Sequence, residues 1–504
     1  MVATHVLANL QPIAVWAHFA ALCAVPRSSL HEAALRQQLI EWAEAHGIKS
    51  LVDEAGNLIL RKQASAGCEA APGVILQGHL DMVCQANAGI KHDFERDPIK
   101  VQVHDGWVVA HDTTLGADNG IGVALALAAL EEPGLVHPPL EVLLTVNEES
   151  GMDGARGLVP GTLQGATLIN MDAEEWGHFY LGCAGGVDVE VRHACAQEAL
   201  PPGYALWRLE VSGLRGGHSG IDIHLGRGNA IKLLADALHD LSEPFDLHLV
   251  EMSGGTARNA IPREACAVFA MPAADAGLLE AWVKDELEVW QEWFAESEDN
   301  ISLVCRQIES TAVKAVARED RDRLLEFLDS AANGVDRMSD DFPGVVDTSD
   351  NLGVVALRQG EFRATFKVRS LSDERADVLA DRMISHAASY GLRAWTDGAY
   401  PGWTPNPSSD LLALCQQVYT KEFGQPASLQ VIHAGLECGL LADSHPHLDM
   451  ISFGPDIRGA HAPGERVEIE SVAHCWALLK SILQALAAQP QGADASRAGK
   501  VSML

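Results

Sequence analysis

The sequence predicts an α/β chain interrupted by an α+β insertion, and three observations lead there. Val74–Cys84 begins apolar and ends polar, Leu140–Val146 is a buried-strand run leading into Asn147-Glu148-Glu149, and Thr167–Asp172 is a strand ending in a carboxylate, as buried strands do where they run out into a site. From Val187 the character changes. Alternating, β-branched segments at Val187–Arg192, Leu206–Val211, Ala265–Ala270, Ile301–Ile308 and Glu361–Val368 are interleaved with helical patterns at Asn229–Leu241, Leu278–Phe294, Arg318–Ser330 and Asp373–Tyr390. This reads as a separate α+β region of two lobes, although no residue-level repeat links them. Finally, after a Gly/Pro-rich passage at Trp395–Pro405, the helix Asp410–Phe423, the strand Asp449–Pro455 and the helix Ser471–Leu486 restore the earlier α/β pattern.

The remaining elements follow in order. Pro12–Cys23 carries apolar residues at helical spacing, and Pro26 breaks the chain. A second helix is expected from about Leu30 to His46, opened by the capping-box pattern Ser29-x-x-Glu32 and stopped by Gly47. Two short strands follow, around Ser50–Asp53 and Asn57–Arg61. Thr113–Gly122 leads into the Ala/Leu-rich helix Val123–Leu130, which places Asp118 at a helix amino terminus, where an N-cap is one reading. Its flanking glycines suit a close backbone approach. His461 falls in the Gly/Pro-rich loop Arg458–Glu465, and the residues from Gln489 onward read as a flexible tail.

Composition narrows the function classes. A chain of 504 residues exceeds one ordinary core. A formal charge of −33 argues against nucleic acid and anionic membranes, both of which recruit basic surfaces. The 10 cysteines are scattered singly, with no C-x-x-C pair, so neither a zinc knuckle nor a disulfide framework is indicated. No stretch is apolar enough to span a bilayer, and His5 and His18 interrupt any leader-like run. The expectation is a soluble protein of a reducing, cytoplasmic compartment.

The chemistry-bearing residues lie at strand ends and in glycine-rich turns. His79 and Asp81 stand two apart, on one side of an extended backbone, so Asp81 is placed to hold the imidazole. Glu148 and Glu149 follow the strand Leu140–Val146, and strand alternation would let one ligate a metal while the other acts on a water. His79, Asp118, Glu149, Asp172 and His461 make a donor set of imidazoles and carboxylates without thiolate, which suits zinc, manganese or cobalt. Five donors exceed what one catalytic zinc takes. A pair of divalent metal ions sharing one carboxylate fits better, with Glu148 as general base toward a bridging water.

Gly78-His-Leu-Asp81, Gly116-Ala-Asp-Asn-Gly120, Asn147–Arg156, Asn170-Met-Asp172 and Gly459–Glu465 together resemble the dinuclear-zinc aminoacylase/carboxypeptidase metallopeptidase superfamily. Within it the chain is most similar to the bacterial Xaa-His dipeptidases, also called aminoacyl-histidine or cytosol non-specific dipeptidases. The resemblance spans all but the tail. It implies a zinc-exopeptidase-like α/β catalytic domain in two parts, 1–186 and 397–488, around an inserted two-lobed α+β lid, 187–396, with 489–504 as tail. It further implies that Asp118 bridges two Zn2+ ions, with Co2+ or Mn2+ as substitutes. His79 and Asp172 would complete one shell, and Glu149 and His461 the other. Asp81 would orient His79, Glu148 would activate the water, and a cis peptide would follow Asp118. In the lid, His218 resembles the histidine that stabilises a tetrahedral oxyanion. Asn259 and Arg369 resemble groups that grip a substrate's carboxy end, and Gly435 a substrate-facing turn. The implied activity is hydrolysis of unblocked dipeptides, carnosine-like Xaa-His substrates included, with lid closure bringing His218 and Arg369 to the metals. An N-acyl amino-acid deacylase or carboxypeptidase on the same scaffold is the alternative. Family precedent favours a homodimer through the lid.

Overall fold

The computed structural model describes residues 3–87, 89–309 and 314–488; the expected tail, 489–504, lies outside them. The chain forms two compact units. Among the described residues, the first comprises those within 3–182, 405–430 and 440–488, and the second those within 183–404 and 431–439. The short segment Val431–Gly439, expected from the sequence among residues of the first unit, belongs to the second. The Ala184 N–H donates to the Ile432 carbonyl (3.0 Å), and Ser349 Oγ lies 2.7 Å from His433 Nε2.

The first unit is built on an eight-stranded sheet. At its centre Leu140–Thr145, Val74–His79, Thr167–Asn170 and Asp449–Ser452 run parallel, so their carboxyl ends share one edge. Val74–His79 and Leu140–Thr145 are buried along their whole length, as strands covered on both faces are. The helix Ala117–Glu131 is buried from Ala117 to Leu130, which explains its Ala/Leu composition without an amphipathic stripe. A separate four-stranded antiparallel sheet orders Ile457–Arg458, Arg466–Glu468, Trp107–Ala110 and Val101–His104. It sets the loop between Ile457 and Val467 beside the chain that leads from Ala110 to Asp118.

The second unit carries a nine-stranded antiparallel sheet. Its two lobes are halves of one continuous sheet, joined where His248–Gly254 pairs with Val346–Arg358. The expected helices are present as Ala230–Ser242, Ala276–Trp293, Arg318–Ser330 and Asp373–Ser389. The strand Val346–Arg358 has no counterpart in the sequence reading. Asp347, Ser349, Asp350 and Asn351 interrupt its apolar pattern, yet all four are buried. Tertiary partners satisfy several of them: Arg375 pairs with Asp347, Ser349 meets His433, and Asn351 Nδ2 donates to the Ala260 carbonyl at 2.9 Å. Among the described residues, no helix is long and apolar enough to cross a membrane.

Candidate active site

The carboxyl edge of the parallel strands gathers the predicted donors into two sets that share Asp118. His79, Asp118 and Asp172 form one, and Asp118, Glu149 and His461 the other, with ligating atoms within 4.8 Å of one another in each. His79 Nε2 lies 3.3 Å from Asp118 Oδ1 and 3.3 Å from Asp172 Oδ1. His461 Nε2 lies 3.1 Å from Asp118 Oδ2 and 3.0 Å from Glu149 Oε2. The two oxygens of one carboxylate therefore face the two sets separately. The Asp118 carboxylate is turned to the two imidazoles, and its backbone is extended (ψ 111°), so that it kinks the Ala117–Glu131 segment together with Asn119. The peptide after Asp118 is cis.

Glu148 joins His79 and Glu149 in a third grouping, which places its carboxylate at the same centre. The two glutamates are not on extended backbone, as the sequence reading had them. Asn147 turns the chain with φ of 54°, and Glu148–Gly151 is one helical turn. Asp81 makes that turn possible, because its Oδ1 and Oδ2 accept the N–H groups of Glu148 (3.0 Å) and Glu149 (3.1 Å). Asp81 Oδ1 also lies 3.3 Å from His79 Nδ1. One buried carboxylate thus orients an imidazole and both glutamates.

Two supports were hidden in the sequence as a capping box. Ser29 caps nothing; its Oγ donates to Asp81 Oδ2 at 2.7 Å. Glu32 Oε1 accepts the N–H of Asn147 at 2.9 Å and so holds the left-handed residue before Glu148. The helix itself begins only at Ala33. Asn119, quoted within a motif but given no role, links two strand ends. Its Nδ2 donates to the Met171 carbonyl (2.7 Å) and its Oδ1 accepts the His79 N–H (3.3 Å). Gly78 makes room for it, since a Cβ there would lie 2.2 Å from Asn119 Oδ1.

The donors fit divalent cations. Glu149 Oε1 is buried without a hydrogen-bond partner and Asp172 Oδ1 meets only the His79 imidazole at 3.3 Å, which is costly for carboxylate oxygens unless a cation meets them. Protonation also reflects concentrated negative charge. Burial alone would push His79 down, but Asp172, Asp118 and Asp81 outweigh it and hold its pKa well above the usual value. Hydrogen bonds to Asp118 and Glu149 push His461 up to about 11. With raised pKa values both imidazoles carry protons at neutral pH when no metal is bound, and a metal must displace them. Metal affinity is therefore expected to rise with pH between about 6 and 9, roughly tenfold per unit for each proton released. Calorimetric titration in two buffers of different ionisation heat checks this. An affinity independent of pH would contradict it.

In the second unit, His218 and Arg369 come together. The N–H groups of Gly220 and Ile221 both donate to His218 Nδ1 (3.1 Å each), which puts the imidazole proton on Nε2. Arg369 Nη2 lies 3.4 Å from that Nε2. Arg369 is buried and held from two sides: Nε donates to Ser219 Oγ (3.3 Å) and Nη1 to the Tyr400 hydroxyl (2.8 Å). Burial, with Arg369 and His218 beside it, pushes His433 down to about 3, so His433 adds no charge to the cluster. Asn259 is placed differently from the other candidates. It is exposed, and the contact it makes here is its carbonyl accepting the Ser219 N–H at 2.9 Å. Gly435 sits half-buried in the turn between His433 and the helix Glu437–Ser444.

A further grouping among the described residues, His193, Cys195 and Asp320, is not equivalent. The Arg323 guanidinium already pairs with Asp320 there, and burial pushes the Cys195 thiol up to about 12. A cation would have to displace one positive charge and deprotonate a reluctant thiol.

With this geometry in hand, comparison with known proteins is specific. Peptidase family M20/M25/M40 matches residues 75–485. The cytosol non-specific dipeptidase of Escherichia coli strain K12 is 43% identical over 483 residues, covering 96% of this chain and 99% of that one. The crystal structure of aminoacylhistidine dipeptidase from Vibrio alginolyticus superposes with a TM-score of 0.82 at 40% identity, covering 95% of this chain and 98% of that one. A tripeptidase from Staphylococcus aureus shares the fold at 16% identity, with a TM-score of 0.54 and coverage of 95% and 100%. Two donor sets sharing one aspartate, a glutamate beside them, and a match over most of the chain lead to one conclusion: this chain belongs to peptidase family M20/M25/M40.

Proposed function

We propose that the chain is a metal-dependent dipeptidase whose two donor sets hold two divalent ions, with Zn2+ as the ion and Glu148 as the base. The observation that carries this is the shared Asp118, one oxygen facing each set, with Glu148 beside them. The reaction class and the dipeptide substrate, Xaa-His dipeptides among them, rest on the 43% and 40% identical relatives over nearly the whole chain. Imidazole and carboxylate donors without thiolate suit zinc and leave cobalt and manganese as substitutes. Bound there, such ions would lower the pKa of water and polarise the scissile carbonyl.

The chain's own groups do the rest. Glu148 takes the proton of the attacking water and passes it to the departing amine. Asp81 keeps Glu148 in place through its backbone N–H and holds His79 for ligation. His218 donates Nε2–H to the developing oxyanion. Arg369, already aligned by Ser219 and Tyr400, binds the substrate's free carboxylate, for which a guanidinium has the matching shape. Asn259, whose carbonyl accepts the Ser219 N–H, is assigned to the carboxy end of the substrate, and Gly435 to a substrate-facing turn. The domain division into a catalytic part and an inserted substrate-gripping lid, and a homodimer through that lid, belong to the same proposal.

A site that requires both a free amino and a free carboxy end at a fixed spacing limits the substrate's length. Metal-loaded protein is expected to cleave β-Ala-His and Leu-Gly, with kcat/KM at least about tenfold lower for a tripeptide and for an N-acetyl amino acid. Steady-state assay of the four compounds is the test. Equal turnover of the tripeptide would overturn the two-residue limit, and preference for the N-acetyl compound would favour deacylase chemistry.

A further inference from the structure

We infer that Glu465, together with Arg27, is a positioning residue that presets the Asp118 carboxylate for both donor sets. This rests on reading those sets as metal sites. Glu465 is 2% exposed, and its carboxylate accepts four successive backbone N–H groups. Oε2 takes those of Leu115 (2.7 Å) and Gly116 (2.9 Å), and Oε1 those of Ala117 (2.7 Å) and Asp118 (3.2 Å). Four consecutive donors converge on one carboxylate only when the turn that carries them is fixed. A buried carboxylate is tolerated only where such bonds compensate its lost hydration.

The opposite side of the turn is held by a charge of the other sign. Arg27 is 2% exposed, and Nη1 donates to the carbonyls of Leu80 (3.0 Å) and Asp81 (2.8 Å), while Nη2 donates to that of Gly116. A Cβ at Gly116 would lie 2.4 Å from Arg27 Nη2, and one at Gly120 would lie 2.8 Å from it. The glycines around Asp118 therefore admit the Arg27 guanidinium, and through it the turn is tied to the end of the His79 strand.

Glu465 also closes the loop that delivers His461. The Gly464 N–H donates to the Thr113 carbonyl (3.1 Å) and the Ala110 N–H to the Glu465 carbonyl (3.2 Å), so the two segments are zipped together. Asp118 belongs to both donor sets, so an error in its placement is felt by both, whereas loss of a donor from one set is felt by that set. Neither Glu465 nor Arg27 is itself in a donor set.

The test is Co2+ titration of metal-depleted protein, followed by visible absorption, with far-UV circular dichroism as the measure of folding. Glu465→Gln places an amide NH2 against two N–H donors and breaks about half of the cradle. Both binding steps should weaken by roughly ten- to a hundredfold, and the spectra of both bound ions should change. His461→Ala should weaken one step only. If Glu465→Gln does not fold, Glu465→Asp, which keeps the charge but shortens the reach, should show the same two-step loss at smaller amplitude. Folded Glu465 variants that bind two ions with affinities within twofold of wild type, or that lose one step alone, overturn the positioning role. Wild-type protein that binds fewer than two ions overturns the metal reading instead, and this inference with it.

Discussion

Replacing Glu148 by glutamine is expected to lower kcat for dipeptide hydrolysis by about a hundred- to ten-thousand-fold, the usual contribution of a general base. Metal content should stay at two ions, because Glu148 is not required in either of the sets that share Asp118. The substitution keeps volume and hydrogen-bonding shape, and the backbone N–H of residue 148 still donates to Asp81 Oδ1, as it does at 3.0 Å in the present structure. The lost quantity is a proton acceptor and nothing else of size. The measurement pairs kcat with metal analysis on the same sample. Activity above a tenth of wild type would assign the base elsewhere, and loss of metal together with activity would make Glu148 a ligand.

Arg369→Ala is expected to reduce kcat/KM for dipeptides by roughly thirty- to several-thousand-fold. This corresponds to the ~2–5 kcal/mol lost when one partner of a buried charge pair is truncated. Arg369 is buried, so little water is available to replace it opposite a carboxylate. Its fork is fixed before substrate arrives, since Nε and Nη1 are spent on Ser219 and Tyr400 and Nη2 lies beside His218 Nε2. Arg369→Lys should recover only a fraction, because an ammonium keeps the charge but not the planar fork. Comparing a dipeptide with its carboxy-amidated analogue separates the grip from general damage. The variant should discriminate between them far less than wild type does. Unchanged discrimination would place the carboxylate grip on another residue.

The donors themselves were legible because ligand chemistry is written in residue type and in strand polarity. A buried strand that ends in His-x-Asp, or in Glu-Glu, must put those groups somewhere a charge is tolerated, and parallel strands share one edge. The same logic located Asp172 and, through its glycine-rich loop, His461. The shape around them was less legible. Strand alternation was the wrong geometry for Glu148 and Glu149, because Asn147 turns the chain first and Glu32 and Asp81 hold the turn. Ser29 and Glu32 had the spacing of a cap but bond to residues more than fifty positions away.

Length, charge, the division of α/β from α+β character, and the candidate ligand residue types follow from composition and local periodicity. Those signals depend on neighbours a few residues apart. The buried polar strand Val346–Arg358, the cradle of Glu465 around Leu115–Asp118, and Arg27 beneath Gly116 depend on partners far along the chain. A buried polar group is stable only with its partner present, and no local pattern names that partner. Folding brings residues 115 and 465 within 2.7 Å, and that contact, rather than any motif, fixes where the shared carboxylate points.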